Sequence, residues 1–238
     1  MLSNEQKIQL LKENHLTEED TFEFGCDMCG ECCRNRHDIL LQPYDIFRIA
    51  KYLETDILSV IKKYCECYIG QDSKLPMVRA KPKLYNDVCP FLRKGKCGIH
   101  EVKPAVCSLY PLGRAVSPSG EIRYFVQRVP CGTQKRKIKV KDWLEEFNLK
   151  ESEEPATEWG KTIVRLSVGK KKYRISADLE DKMNKSLHII LYLNYDVNKE
   201  FMPQFRHNLK KAEEFFELST GKSIERAVKN MNLGFEKI

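Results

Sequence analysis

No segment of the 238-residue chain is apolar for long enough to cross a bilayer. The longest largely apolar run, Leu187 to Leu193, has seven residues, whereas a spanning helix needs about 20. The first residues, MLSNEQKIQLLKEN, mix charges and lack the apolar stretch of a secretory leader. A soluble, cytoplasmic protein with no membrane association is therefore expected. With 12 glycines and 10 prolines the chain is neither collagen-like nor a linker, and 42% hydrophobic residues argue against intrinsic disorder. A serine-nucleophile elbow, a phosphate-binding loop and a dinucleotide glycine motif are all missing, so those enzyme classes gain no support. There is no solenoid-period repeat and no low-complexity tract. The last 107 residues contain no cysteine, yet the chain has ten, all between Cys26 and Cys131.

Charge is as unevenly spread as cysteine. Residues 1–70 hold 8 Lys+Arg against 13 Asp+Glu, residues 71–140 hold 15 against 4, and residues 141–238 hold 18 against 17. The expected organisation is a cysteine-cluster metal-binding domain over residues 1–138 and a helical region over 139–238. The fold class expected is α+β, mostly α, with a small, loop-rich β part carrying the cysteines. Ile8, Leu10 and Leu11 suggest a short N-terminal helix. In PYDIFRIAKYL, Ile46, Ile49, Ala50 and Leu53 fall at helical spacing, Pro43 suits the first turn and Asp45 complements the positive helix start. TDILSVIKKY reads as a second helix, with Thr55 as N-cap and Ile57, Leu58 and Ile61 on one face. Arg114–Val116 and Glu121–Gln127 flank Ser117-Pro-Ser-Gly120 as a β-hairpin, and Met77–Arg79 and Lys83–Tyr85 suit short strands. VKDWLEEFNL, LEDKMNKSLHIILYLNY, NLKKAEEFFELS and SIERAVKNMN read as helices.

The decisive stretch is Cys26-Asp-Met-Cys29-Gly-Glu-Cys32-Cys33. Two residues between ligands let a loop curl so that both sulfurs face one ion, about 2.3 Å away for zinc. Gly25 and Gly30 supply the backbone freedom that such knuckles need. Cys89 (in CPFL), Cys97 (in GKCGIH), Cys107 (in KPAVCSLYP) and Cys131 (in VPCGT) follow in a basic context. Cys89 and Cys97 flank a turn at Arg93–Lys96, which suits a hairpin that brings the two thiols together. Structural disulfides would need an oxidising compartment, and inert buried cysteines do not explain four within eight residues. Cys65 and Cys67 end the second predicted helix, where they would face different directions, and they read as packed or solvent-side thiols. Spacing leaves the metal open. Two closed four-thiolate zinc sites are one solution. An iron–sulfur cluster is the other, since Cys-x-x-Cys-x-x-Cys plus Cys89-Pro90 partly parallels the four-iron ferredoxin run.

The basic middle of the chain fits this chemistry. Eight thiolates would take the formal +7 to −1 before any metal charge is counted, and nearby Lys and Arg would favour the thiolate form. Nucleic acid is an unlikely partner, because Lys135–Lys137 and Lys170–Lys172 are short clusters that read as solvated surface, the second as a turn. His100 reads as a residue that packs near the site rather than a ligand, Tyr110-Pro111 as a wall between the metal and water, and His188 as a core or half-buried residue.

From about Phe24 to about Cys131 the chain resembles the CxxCxxCC (YkgJ-type) cysteine cluster family, a zinc- or iron-chelating domain. The matching elements are CDMCGECCR, LQPYDIFRIAKYL, CPFL, KCGIHEVKPAVCSLYP and Cys131. The resemblance implies metal binding by Cys26, Cys29, Cys32, Cys33, Cys89, Cys97, Cys107 and Cys131. Flagellin lysine-N-methylases are more distantly similar and imply an iron–sulfur centre on the same cysteines. The expectation is a metal-binding protein holding zinc or an iron–sulfur cluster, its C-terminal helices docking on the cysteine-rich part or recruiting a protein partner. The rival classes are a cluster-dependent protein lysine methyltransferase, which would want an open polar cavity beside the cysteines, and a thiol redox or metal-transfer protein using Cys65 or Cys67.

Overall fold

A computed structural model describes residues 15–26, 29–34, 37–83, 87–116, 122–127, 129, 131–132, 135–173 and 175–229. The architecture is α+β and mostly α, with 52% of the described residues helical and small antiparallel sheets. The helix expected around Ile8, the 117–120 turn and most of the Lys83–Tyr85 strand lie outside the described residues; Lys83 itself forms an isolated bridge with Val88.

Helix α1 (Pro43–Tyr52) begins as its sequence predicts. Pro43 occupies the first turn, and Asp45 accepts a hydrogen bond from the Gln42 backbone N–H at 2.9 Å, closing a capping box. Ile46, Phe47, Ile49 and Ala50 are buried. Helix α2 (Ile57–Tyr64) starts one residue later than expected. Asp56 rather than Thr55 is the N-cap, accepting from the Ser59 N–H at 2.8 Å. Val60 joins Ile57 and Ile61 in the core, and Leu58 turns outward, 45% exposed.

Four small sheets carry the β structure. β1 (Thr21–Phe24) pairs with β9 (Arg136–Lys139); β2 (Leu40–Leu41), β4 (Pro76–Ala80) and β3 (Cys65–Ile69) form a three-stranded sheet in that order. β5 (Leu92–Arg93) pairs with β6 (Lys96–Cys97), and β7 (Leu112–Val116) with β8 (Ile122–Val126), both as expected hairpins. Every pairing is antiparallel.

The placement of Cys65 and Cys67 is a correction. They lie in strand β3, which starts directly at the C-cap of α2 and leaves neither cysteine on the helix, opposite Ala80 and Val78 of β4. Side chains two apart in a strand share a face, so the two thiols point the same way. The helical pattern of ILSVIKKY stops because the chain turns extended at Cys65.

The later helices are α3 (Ala105–Leu109), α4 (Val140–Glu146), α5 (Glu153–Lys172), α6 (Ala177–His188), α7 (Phe201–Thr220) and α8 (Ile224–Lys229), with a wide π turn over Ile189–Leu193 after α6. The twenty-residue α5 was not foreseen. Gly160, Thr162, Ile163, Val164 and Gly169 weaken its intrinsic propensity, and packing of α5 against α7 and α8, with Leu166 buried and Trp159 edge-on to Tyr192 of the π turn, overrides that weakness. Lys170–Lys172 are consequently the last turn of α5 rather than a surface turn. Lys170 is buried; its ammonium donates to Lys74 O and to Asn184 Oδ1 and pairs with Glu180 at 3.0 Å.

Two apolar clusters result. The larger joins Ile46 and Ile49 of α1, Val78 of β4 and Phe91 to Tyr192, Phe205 and Phe216 of the C-terminal helices. The smaller gathers Phe22, Phe24, Leu109, Leu112, Tyr124, Ile138, Trp143 and Leu144.

Candidate metal centre

The eight cysteines singled out by their spacing line a single cavity of about 340 Å³. Each is delivered by a different local device. Cys26 follows β1. Gly30, at φ 74°, turns the chain into the 3-10 turn Glu31–Cys33, while its neighbour Gly25 needs no positive φ. Cys89 is buried and its N–H donates to Cys33 O at 2.8 Å. Cys97 comes from the β5–β6 hairpin, where Lys94 (φ 47°) and Gly95 (φ 78°) make the tight left-handed turn. Cys107 rides on α3, and Cys131 precedes β9.

The sulfurs interact with one another. Cys32 Sγ and Cys33 Sγ are 4.0 Å apart, and no disulfide forms among the described residues. A hydrogen bond with Cys32 lowers the Cys33 thiol. Its bond with Cys89, burial and the nearby Cys89 and Cys97 outweigh that and push it up to about 11. The bond with Cys33 holds Cys89 below the ordinary thiol range. Burial first, then Cys33, Cys32 and Cys97, drives Cys107 far upward. Burial also raises Cys97 and Cys131; Cys131 is further raised by Cys29, Cys32 and Cys26, against the Tyr110 hydroxyl 3.2 Å from its sulfur. The physical content is uniform. Thiolates crowded into an apolar cavity repel one another and lose hydration, so the charged form needs a cation that the side chains supply only in part.

That part is Lys103. It is half-buried on the cavity wall, 3.9 Å from the centre of the Phe147 ring, and burial lowers its pKa while Cys107, Cys26, Cys97 and Cys32 raise it.

Residues outside the cysteine pattern hold the frame, and sequence reasoning assigned them too little. Asp45, 2% exposed, is more than a helix-start residue: its Oδ1 accepts the Ala105 N–H at 2.8 Å, fixing the first residue of the helix that carries Cys107. Arg48 reinforces the joint, reaching Asp45 at 3.4 Å and donating to Lys103 O at 3.0 Å. The Asp45–Arg48 spacing within an amphipathic helix was the available signal. Trp143 donates its indole N–H to Leu109 O at 3.2 Å and packs edge-on against Phe22 and Phe24, bracing the same helix from the other side.

His100 is exposed and lines the same cavity as the cysteines. Tyr110 lines the cavity, as a wall should. Cys65 and Cys67 are not among the lining residues. Cys65 is buried, which pushes its thiol up to about 12; Cys67 is exposed, with its sulfur 3.5 Å from His188 Nε2. His188 is half-buried, and burial lowers its pKa.

The donor set suits a thiophilic metal, because the eight cysteines outnumber the other polar side chains of the lining, Lys96, His100, Lys103 and Tyr110, against walls of Phe24, Phe91, Ile99, Val106 and Trp143. Among the described residues no three Cys, His, Asp or Glu side chains stand close enough to enclose one ion as they are placed; the sulfurs ring the space instead.

Comparison with known proteins bears on the same segment. A family model described as "CxxCxxCC: Putative zinc- or iron-chelating domain" matches residues 25–142. Uncharacterized protein MJ0661 of Methanocaldococcus jannaschii is 32% identical over 90 residues, which cover 37% of this chain and 44% of that protein. The match thus spans less than half of the relative's length. No solved structure matches. Among the described residues no helix is long and apolar enough to cross a membrane.

Proposed function

The chain belongs, through residues 25–142, to the CxxCxxCC family, and from that premise we propose that it holds zinc or an iron–sulfur cluster on Cys26, Cys29, Cys32, Cys33, Cys89, Cys97, Cys107 and Cys131. The observation that carries this reading is the convergence of all eight sulfurs on one cavity from segments spread over 105 residues. When bound, zinc would supply tetrahedral cross-linking of a loop-rich region, and an iron–sulfur cluster would supply electron transfer or redox sensing. The protein's own contribution is to place the sulfurs, to exclude water with Phe24, Phe91, Trp143 and Tyr110, and to offset thiolate charge with Lys103.

The chemistry of the cavity supports a metal-holding protein over a lysine methyltransferase. A polar methyl donor would want hydrogen-bonding walls, and here the surface beyond the sulfurs is mostly aromatic and aliphatic, with Lys96, His100, Lys103 and Tyr110 as its polar side chains. The experiment is anaerobic purification of the full-length chain with metal and sulfide analysis and an absorption spectrum. Stoichiometric zinc in a colourless protein, or iron with sulfide and a broad band near about 400 nm, is the expected result. A folded, reduced chain with neither metal overturns the proposal.

A further inference from the structure

The eight sulfurs do not sit in one undivided ring. Cys89 is buried within the larger apolar cluster, and Cys33, Cys97 and Cys107 pack against it, whereas Cys131 packs against the smaller cluster. Backbone geometry draws the same line. The Arg34–Val88 bridge and the Cys89 N–H bond to Cys33 O lock Cys33 beside Cys89. Leu92, which opens the β5–β6 hairpin three residues after Cys89, faces Cys97 across it. On the other side, Phe24 faces Arg136 in the β1–β9 ladder, so Cys26 and Cys131 leave the same end of that ribbon. Gly132 closes the gap: a Cβ there would lie 2.5 Å from the Phe24 ring and 3.1 Å from Gly25 O, an approach that only glycine allows.

The adjacent pair Cys32–Cys33 sits on the dividing line. In a 3-10 turn successive side chains project about a third of a turn apart, so two neighbouring residues serve two different sides while their sulfurs stay 4.0 Å from each other.

We infer that the eight thiols form two four-sulfur metal centres, an inner one of Cys33, Cys89, Cys97 and Cys107 and an outer one of Cys26, Cys29, Cys32 and Cys131. This rests on the metal-binding reading above and adds the ligand partition to it. For a divalent ion such as zinc each centre forms when four thiols lose four protons to solvent and four metal–sulfur bonds replace the S–H bonds, leaving a complex of charge −2. Lys103, on the wall of the cavity that both sets line, is a counter-charge common to both. The centres differ in access. Cys26 and Cys29 are exposed, while Cys89 is buried, so the outer centre exchanges its metal faster.

The test is native mass spectrometry of full-length protein, expressed in medium supplemented with zinc and iron and kept anaerobic, counting metal centres per chain. The wild type is expected to carry two. The Cys26→Ala/Cys29→Ala variant and, separately, the Cys97→Ala variant are each expected to keep one, and the triple variant none. A chelator should strip the first centre from the wild type at least ten-fold faster than the second. If the outer double variant keeps both centres or loses both, the partition is wrong. A wild type with a single centre that both variants abolish also overturns the partition but leaves metal binding standing; a wild type with no metal overturns metal binding itself. Should Cys97→Ala not fold, the outer double variant, checked by circular dichroism, decides alone.

Discussion

The ten cysteines of this chain occupy two environments, and the contrast explains more than either group alone. Eight reach a common cavity from turns, a hairpin and a short helix, with one another and two lysines, Lys96 and Lys103, on its lining. Two lie in strand β3, fixed by the ladder to β4, with Cys65 sealed in the core and Cys67 at an imidazole. Both groups are reduced, and burial raises thiols in both. What separates them is multiplicity. A single buried thiol such as Cys65 is satisfied as a small hydrophobe, whereas a crowd of them around an apolar space can ionise together only with a cation in their midst.

Removing that cation is the most severe way to test the contrast. Structural thiolate metals contribute on the order of 10 kcal/mol, so a chelator is expected to lower the melting temperature by about 10 °C or more. An unchanged melting curve would place the eight cysteines in the same class as the two. Next in size is Asp45→Ala, which leaves Arg48 without its carboxylate and frees the start of α3. A loss of about 3 kcal/mol in chemical denaturation is expected, together with faster metal release; full stability would mean that the Asp45–Ala105 joint does not hold the Cys107 segment.

Cys65 tests the other side. Its folded pKa is about 12, against about 8.5 in an unfolded chain. Folding therefore keeps a proton that the unfolded chain releases, and the stability this group contributes is intact below about pH 8.5 and is lost as pH rises toward 12. Cys65→Ala should make the decline between pH 9 and 12 shallower by one proton's worth, about 1.4 kcal/mol per pH unit, and should leave metal content unchanged. A slope identical to wild type contradicts the sealed-thiol assignment. The smallest effect is expected at Cys67. In metal-loaded protein iodoacetamide should label this exposed thiol and spare the eight, with stability moving by less than about 0.5 kcal/mol. Mass spectrometry of the labelled peptides reads the result, and labelling spread over Cys26 and Cys29 would show them unligated.

What could be read from the residues, and what could not, follows the range of the forces involved. The cysteine spacing, the α1 capping signals and the β5–β6 and β7–β8 hairpins are local features, and the structure carries each of them. Thr55 against Asp56 was a choice between two competent caps one residue apart. Strand β3 was missed because ILSVIKKYCECYI has no glycine or proline to mark the change of period, and only pairing with β4 decides where the helix ends. Helix α5 was missed because its glycines and β-branched residues hide a helix that tertiary packing enforces. The roles of Asp45 toward Ala105 and of Lys170 toward Asn184 and Glu180 are contacts between distant segments, which spacing does not encode. The same applies to the division of the cysteines, since Gly132 against Phe24 is visible only once β1 and β9 are paired.

The central claim is that cavity cysteines bind metal and strand cysteines do not. Metal per chain, measured side by side in anaerobically purified wild type, Cys29→Ala and the Cys65→Ala/Cys67→Ala double variant, tests it most directly. The account predicts equal zinc or iron in the wild type and the double variant and a lower content in Cys29→Ala. Metal lost from the double variant, or kept in full by Cys29→Ala, would contradict it.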